Sequence, residues 1–139
     1  MAFASVDDVQ LVELPRHADE KGELVVMEQG KSFLFPVARI FTVRAPAGGV
    51  RGHHAHKRCT QFFVCVHGSI EVECDDGTRK ARFALDAGSK ALLVPPSIWA
   101  TETYVVDGSV LTVLCDRGYE PEDYIRDYAQ FTAWRTTNA

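Results

Sequence analysis

Three of the chain's five histidines, His53, His54 and His56, fall within four positions of the stretch GGVRGHHAHKRCTQFFVCVHG, with Arg51 just ahead and Lys57 just behind. Imidazole changes charge near pH ~6.5, so such a cluster suits either metal ligation through ring nitrogens or proton transfer near neutral pH. If the stretch is a strand, its two-residue period sets His54 and His56 on one face and His53 on the other. His53 then faces solvent, while the His-x-His pair opens into one space. Arg51 and Lys57 suit an anionic ligand or a developing enolate oxygen, and Lys57 serves equally well as a solvated surface charge.

The elements that must position these residues read as short strands. The runs ELVVMEQG, ARIFTVRAPAGG, TQFFVCVHG, SIEVECDDG, ARFALDAG, KALLVPP, ATETYVVDG and SVLTVLCDRG are each closed by Gly, Pro or Asp-Gly. Their spacing, near the ~8–12 residues of all-β sandwiches and barrels, predicts a jelly roll or related barrel with a cavity at its mouth. The clearest hairpin is SIEVECDDGTRKARFAL, where Ile70, Val72 and Cys74 alternate with Ser69, Glu71 and Glu73 before Asp76-Gly77. The unbroken run FFVCV reads as core. In the tail, Tyr124, Tyr128 and Phe131 recur at helical spacing behind Pro121 and its acids, which predicts a short helix capping the β core.

The chain has 139 residues, enough for one domain over 1–139 and too few for two ordinary ones. At 46% hydrophobic and 24% charged residues it has the composition of a globular protein, and no apolar run approaches the ~18 residues of a membrane span. Neither a secretion nor an import signal opens the sequence, so the expected location is cytoplasmic. There Cys59, Cys65, Cys74 and Cys115, which form no CxxC pair, are expected to be reduced and mostly buried. A net charge of -4 argues against a nucleic-acid partner, whose phosphates need a basic face, but leaves room for a phosphorylated small ligand in a local cationic pocket.

The order Gly48, His54-Ala55-His56, Gln61, Gly68 is similar to the first motif of metal-binding cupins, with glutamine in place of its carboxylate. The second cupin motif resembles GSKALLVPPSIWATE, which sets Ala100 where a third histidine would fall. Two imidazoles without the anionic ligand and the third histidine make a poor transition-metal site, so no metal is expected and the histidines are free for acid–base work.

RGHHAHK, CTQFFVCVHGSIEV with its DDG turn, LLVPPSIWATE and YEPEDYIRDYAQF together resemble the dTDP-4-keto-6-deoxyglucose 3,4-ketoisomerases, and the similarity runs from DEKGELVVMEQGKSFLFPVARIF to about Phe131. The resemblance implies an all-β, RmlC-like cupin jelly roll with a short C-terminal helix, working as a homodimer without cofactor or metal on a dTDP-linked 4-keto-6-deoxy sugar. It implies His54 as catalytic base, His56 as the second catalytic histidine and Arg51 as an active-site cation. Lys57, Gln61 and Trp99 are candidate substrate-binding residues, Trp99 fitting core packing as well as stacking on a ring. Phe41 and Ala100 depart from relatives that carry tyrosine and histidine there. A non-catalytic nucleotide-sugar module and a related sugar epimerase are the alternative readings.

Overall fold

Two-residue alternation builds most of the molecule, and it sorts the chain into two facing sheets. The structure, a computed structural model, describes residues 2–88 and 90–138. In chain order the strands are β1 (Gln10–Glu13), β2 (Arg16–Asp19), β3 (Gly22–Val25), β4 (Arg39–Ala45), β5 (Gly49–His56), β6 (Gln61–His67), β7 (Ser69–Asp75), β8 (Lys80–Asp86), β9 (Lys90–Val94), β10 (Trp99–Tyr104), β11 (Ser109–Cys115) and β12 (Tyr124–Ile125). One sheet has the order β1-β9-β6-β11-β4 and the other β12-β5-β10-β7-β8, while β2 and β3 form a separate hairpin. The two facing sheets make the expected jelly roll, closed by a short helix, α1 (Tyr128–Thr137).

The expected hairpin is present as β7 and β8: Ile70, Val72 and Cys74 are fully buried, and Glu71 stays exposed on the other face. Its loop is held by Asp76, whose Oδ1 accepts the backbone N–H groups of Thr78 and Arg79 at 2.9 and 2.7 Å. Phe62, Phe63, Val64 and Cys65 are buried on both faces of β6, whereas Val66, the last residue of the run read as core, is 49% exposed where the strand leaves the cover of its neighbours. Phe63 and Cys65 face the space between the sheets with Val72, Leu85, Leu92 and Leu111. Phe62 and Val64 face outward under Leu14 and Phe33, contributed by the N-terminal segment. A strand covered on both faces needs no polar alternation, which is why this run reads as continuous apolar sequence. All four cysteines are buried thiols.

The tail differs from its predicted form. Tyr124 is in strand β12, paired with His56 of β5, and α1 begins only after Asp127, whose side chain caps it by accepting the Gln130 N–H at 2.9 Å. The cap supplies the reason: Asp satisfies an orphan N–H of the first turn, so the helix starts there and not at the acids after Pro121, which form a separate 3-10 turn (Pro121–Asp123). The helix packs through Phe131 onto Ala55, Trp99 and Ile125. Among the described residues no helix is long and apolar enough to cross a membrane.

Candidate active site

A β-bulge decides which side chains of β5 face the interior. Along β5 and β10, Ala100 opposes His54, Thr101 opposes Gly52 and Glu102 opposes Arg51, so the register shifts between Ala100 and Thr101. The extra residue cancels one step of the alternation. Arg51 and His54, three apart in sequence, therefore both line one cavity of about 220 Å³, while His53 is exposed. Gly52 sits at the bulge with φ +91°, and a Cβ there would fall on Glu102 Oε2 and lie 2.8 Å from the Ala100 carbonyl. Only glycine meets both demands.

His54 Nδ1 lies 3.0 Å from the Gly52 carbonyl oxygen, which can only accept, so Nδ1 carries the proton and Nε2 presents a lone pair. Burial, reinforced by the neighbouring His56, lowers the His54 pKa to about 4. The ring is thus neutral at pH 7, with its lone pair free to accept a proton. His56 stands behind it, with ring centroids 5.1 Å apart at 84°. His56 Nδ1 donates to Asp123 Oδ2 at 2.9 Å, and its Nε2 is buried without a protein partner. Burial lowers the His56 pKa, against the pull of the Asp123 carboxylate. Asp123 is itself fixed by the Arg58 backbone N–H at 2.6 Å.

The remaining wall is mixed. Phe41 and Val43 come from β4, Gln61 and Phe63 from β6, and Val113 from β11. Tyr124, Arg39 and Arg126 stand with Arg51 around the cavity. The Arg39 guanidinium reaches the Tyr124 hydroxyl at 3.4 Å, and that of Arg126 lies 4.3 Å from the Tyr124 ring centroid. On β10, Glu102 and Tyr104 are buried, and each has an oxygen with no partner: Glu102 Oε2 and the Tyr104 hydroxyl. Burial pushes the Glu102 carboxyl up to about 8, against the pull of Arg51, and the Tyr104 phenol up to about 12.

Of the residues singled out from sequence, Arg51, His54 and Gln61 meet in this cavity, with Gln61 Nε2 pointing to Cys115 Sγ at 3.9 Å. His56 packs directly behind His54 without forming part of the cavity lining. Trp99 is buried against Tyr128 and Phe131, at 5.3 and 5.6 Å between ring centroids, beneath the helix. Lys57 is exposed, beside a shallow pocket shared with Gln130 and Trp134. Phe41 and Ala100 both line the cavity, so the two departures from the family pattern are neighbours of the same space.

Sequence reasoning passed over Glu102, Tyr104, Asp123, Tyr124, Arg39 and Arg126. The alternation of Ala100, Glu102 and Tyr104 in WATETY was the available signal for the first two, because a shared face follows from period two. Nothing local marked Asp123 and Tyr124, which reach the site only when the tail pairs with β5.

Comparison with known proteins agrees with this architecture. The family described as FdtA: WxcM-like, C-terminal matches residues 7–136. A TDP-4-oxo-6-deoxy-alpha-D-glucose-3,4-oxoisomerase of Aneurinibacillus thermoaerophilus is 32% identical over 123 residues, covering 88% of each chain. Among solved structures, QdtA, a sugar 3,4-ketoisomerase from Thermoanaerobacterium thermosaccharolyticum in complex with TDP, superposes with a TM-score of 0.89 at 25% identity, covering 96% of this chain and 98% of that one. A 3,4-ketoisomerase from Helicobacter canadensis gives 0.86 at 28% identity, over 95% and 98%. The chain belongs to this cupin-fold family of sugar-nucleotide 3,4-ketoisomerases.

Proposed function

We propose that the protein is a 3,4-ketoisomerase that converts a dTDP-linked 4-keto-6-deoxy-D-glucose to the 3-keto-6-deoxyhexose. The observation that carries this reading is His54: a neutral imidazole whose Nδ1–H is held by a backbone carbonyl, leaving Nε2 as a free base in an enclosed cavity. The proton on C3 of a 4-keto sugar is acidified by the adjacent carbonyl. His54 Nε2 takes it, an enediol forms across C3 and C4, and return of the proton to C4 leaves the ketone at C3.

The rest of the site supports that chemistry. At about 220 Å³ the cavity falls below the ~300–1,000 Å³ typical of pockets that bury a whole ligand, so it suits one sugar ring with the nucleotide at the mouth. Arg39, Arg51 and Arg126 supply cations there for the diphosphate and for charge on the enolate oxygen. His56, locked by Asp123, packs against His54 and keeps that ring in place. Its role in this reading is therefore to position His54, since its own Nε2 is buried behind that ring and outside the cavity lining. Gln61 and Ala100 stand where a metal cupin has its carboxylate and third histidine; behind the cavity His56, Cys59 and Asp123 come close to one another, but the hydrogen bond with Cys115 and burial keep the Cys59 thiol protonated and Asp123 is engaged by His56, so the reading has no metal or cofactor. It is further that of a single cupin domain, cytoplasmic and homodimeric.

The test is carbon and proton NMR of the purified protein with dTDP-4-keto-6-deoxyglucose. Migration of the ketone signal from C4 to C3 is expected. A sugar returned unchanged, or epimerised with its ketone still at C4, contradicts the proposal.

A further inference from the structure

The isomerisation moves two protons, one between carbons and one between oxygens. On the isomerase reading, His54 offers the cavity a single lone pair, which the carbon proton occupies; the ring of His56 does not line the cavity. The hydroxyl proton of O3 must still leave and O4 must gain one. We infer that the Glu102 carboxyl is this oxygen-to-oxygen relay, giving its proton to O4 through one oxygen while its other oxygen takes the proton of O3.

Placement is the first argument. Glu102 lies on the inward face of β10, two residues from Ala100, the cross-strand partner of His54. It is 8% exposed and lines the same cavity. Its Oε2 occupies the space that a Cβ at Gly52 would fill, so the bulge that turns His54 inward also makes room for this carboxyl. Ala100 leaves the wall between them open to a ring. Oε2 has no protein partner, although a buried polar atom left unpaired costs about 1–3 kcal/mol. A ligand oxygen supplies that partner.

Chemistry is the second. A carboxylate only accepts, whereas a carboxylic acid donates from one oxygen and accepts at the other, the pattern two vicinal oxygens require. The groups that face Glu102 are Arg51 and His54 on β5, Tyr104 on β10 and Cys74 on β7. Burial outweighs the one cation among them, Arg51, and keeps the carboxyl protonated at neutral pH, with its pKa at about 8.

The steps balance. His54 Nε2 takes the C3 proton, the C3–H electron pair becomes the C3–C4 double bond, and the carbonyl π pair moves to O4 as O4 receives the Glu102 proton. Then O3–H gives its proton to the other Glu102 oxygen, its electron pair forms the C3–O3 double bond, and the C3–C4 π pair takes the proton from His54 at C4. His54 and Glu102 both end in their starting protonation states.

Proton NMR in D2O separates the two jobs, because exchange of the C3 proton requires His54 and only a hydrogen-bond donor at O4, which a glutamine amide still supplies, whereas ketone migration requires a proton to pass from O3 to O4. Glu102→Gln preserves shape and burial but cannot relay a proton. It is expected to exchange C3 hydrogen at a rate within several-fold of the native protein while migration of the ketone falls about 10²-fold or more. Migration at the native rate, or equal loss of exchange and migration, overturns the relay. Should this variant fail to fold, the native protein carries the same test: migration should decline with a midpoint near pH 8 while C3 exchange continues, and a flat migration rate through pH 9 overturns the inference. A native protein that never moves the ketone instead refutes the isomerase reading on which the relay rests.

Discussion

Strands β7 and β10 lie side by side in one sheet, in register, and face the same interior, yet they present opposite chemistry. Cys74 is opposite Ala100, Val72 opposite Glu102 and Ile70 opposite Tyr104. On β7 the three inward side chains are fully buried among Phe63, Leu85 and Leu111 and close the barrel as core. On β10 the same three positions border a cavity, and two of them hold oxygens with no protein partner. Polar atoms in a dry interior are destabilising unless paired. One half of the barrel therefore contributes stability, and the other retains groups that a ligand can satisfy.

The largest expected effect comes from destroying the boundary between those halves. Gly52→Val forces a Cβ onto Glu102 and a branched residue into φ +91°; we expect unfolding in urea to show a loss of about 3 kcal/mol or more. A smaller loss, about 2 kcal/mol, is expected for Val72→Asn, which places an unpaired amide in the filled half. The reverse exchange in the open half, Glu102→Met, should gain about 1 kcal/mol by removing the unpaired carboxyl while abolishing ketone migration. Equal losses from both exchanges would show that the halves do not differ in kind.

Acidity sharpens the contrast. Glu102 holds in the folded protein a proton that its unfolded carboxyl sheds above about 4.5, so its contribution to stability is full below that pH and is lost as pH rises to about 8. The His54 contribution runs the other way: full above 6.5 and lost as pH falls to about 4, because the unfolded imidazole binds a proton that the buried one refuses. Between pH 6.5 and 8 only Glu102 of the two changes the balance. Stability of the native protein minus that of Glu102→Gln should therefore fall across this window, and a flat difference would contradict a protonated Glu102. The smallest effect is none at all: exhaustive chelation with EDTA should leave the rate of ketone migration unchanged, because Gln61 supplies no anionic ligand and Ala100 no third imidazole.

The filled half was the legible half. Ile70, Val72 and Cys74 announce themselves by alternation, and Phe62 to Cys65 by their unbroken apolar character, because burial leaves its mark on each residue separately, although the same apolar run carries on into the exposed Val66. The open half was legible only in part. The His-x-His pair and Arg51 stand out by type, but strict alternation would put Arg51 on the face opposite His54, and the bulge that brings them together depends on pairing with β10. Glu102 shares its face with Ala100 in the sequence pattern, but a lone glutamate in a strand ordinarily points to water. Asp123 and Tyr124 reach the histidines from more than sixty positions away through β12, and helical spacing in the tail hid that strand. Trp99, conspicuous by size, turned out to be part of the core under α1.

The central claim is that the neutral His54 in the open half is the base of the reaction. It is tested most directly by proton NMR of His54→Asn beside the native protein on dTDP-4-keto-6-deoxyglucose in D2O, with calorimetry of TDP binding to both. The account predicts that the variant binds TDP as the native protein does but loses both C3 exchange and ketone migration by about 10²–10⁴-fold. Native rates of exchange and migration in His54→Asn would contradict it.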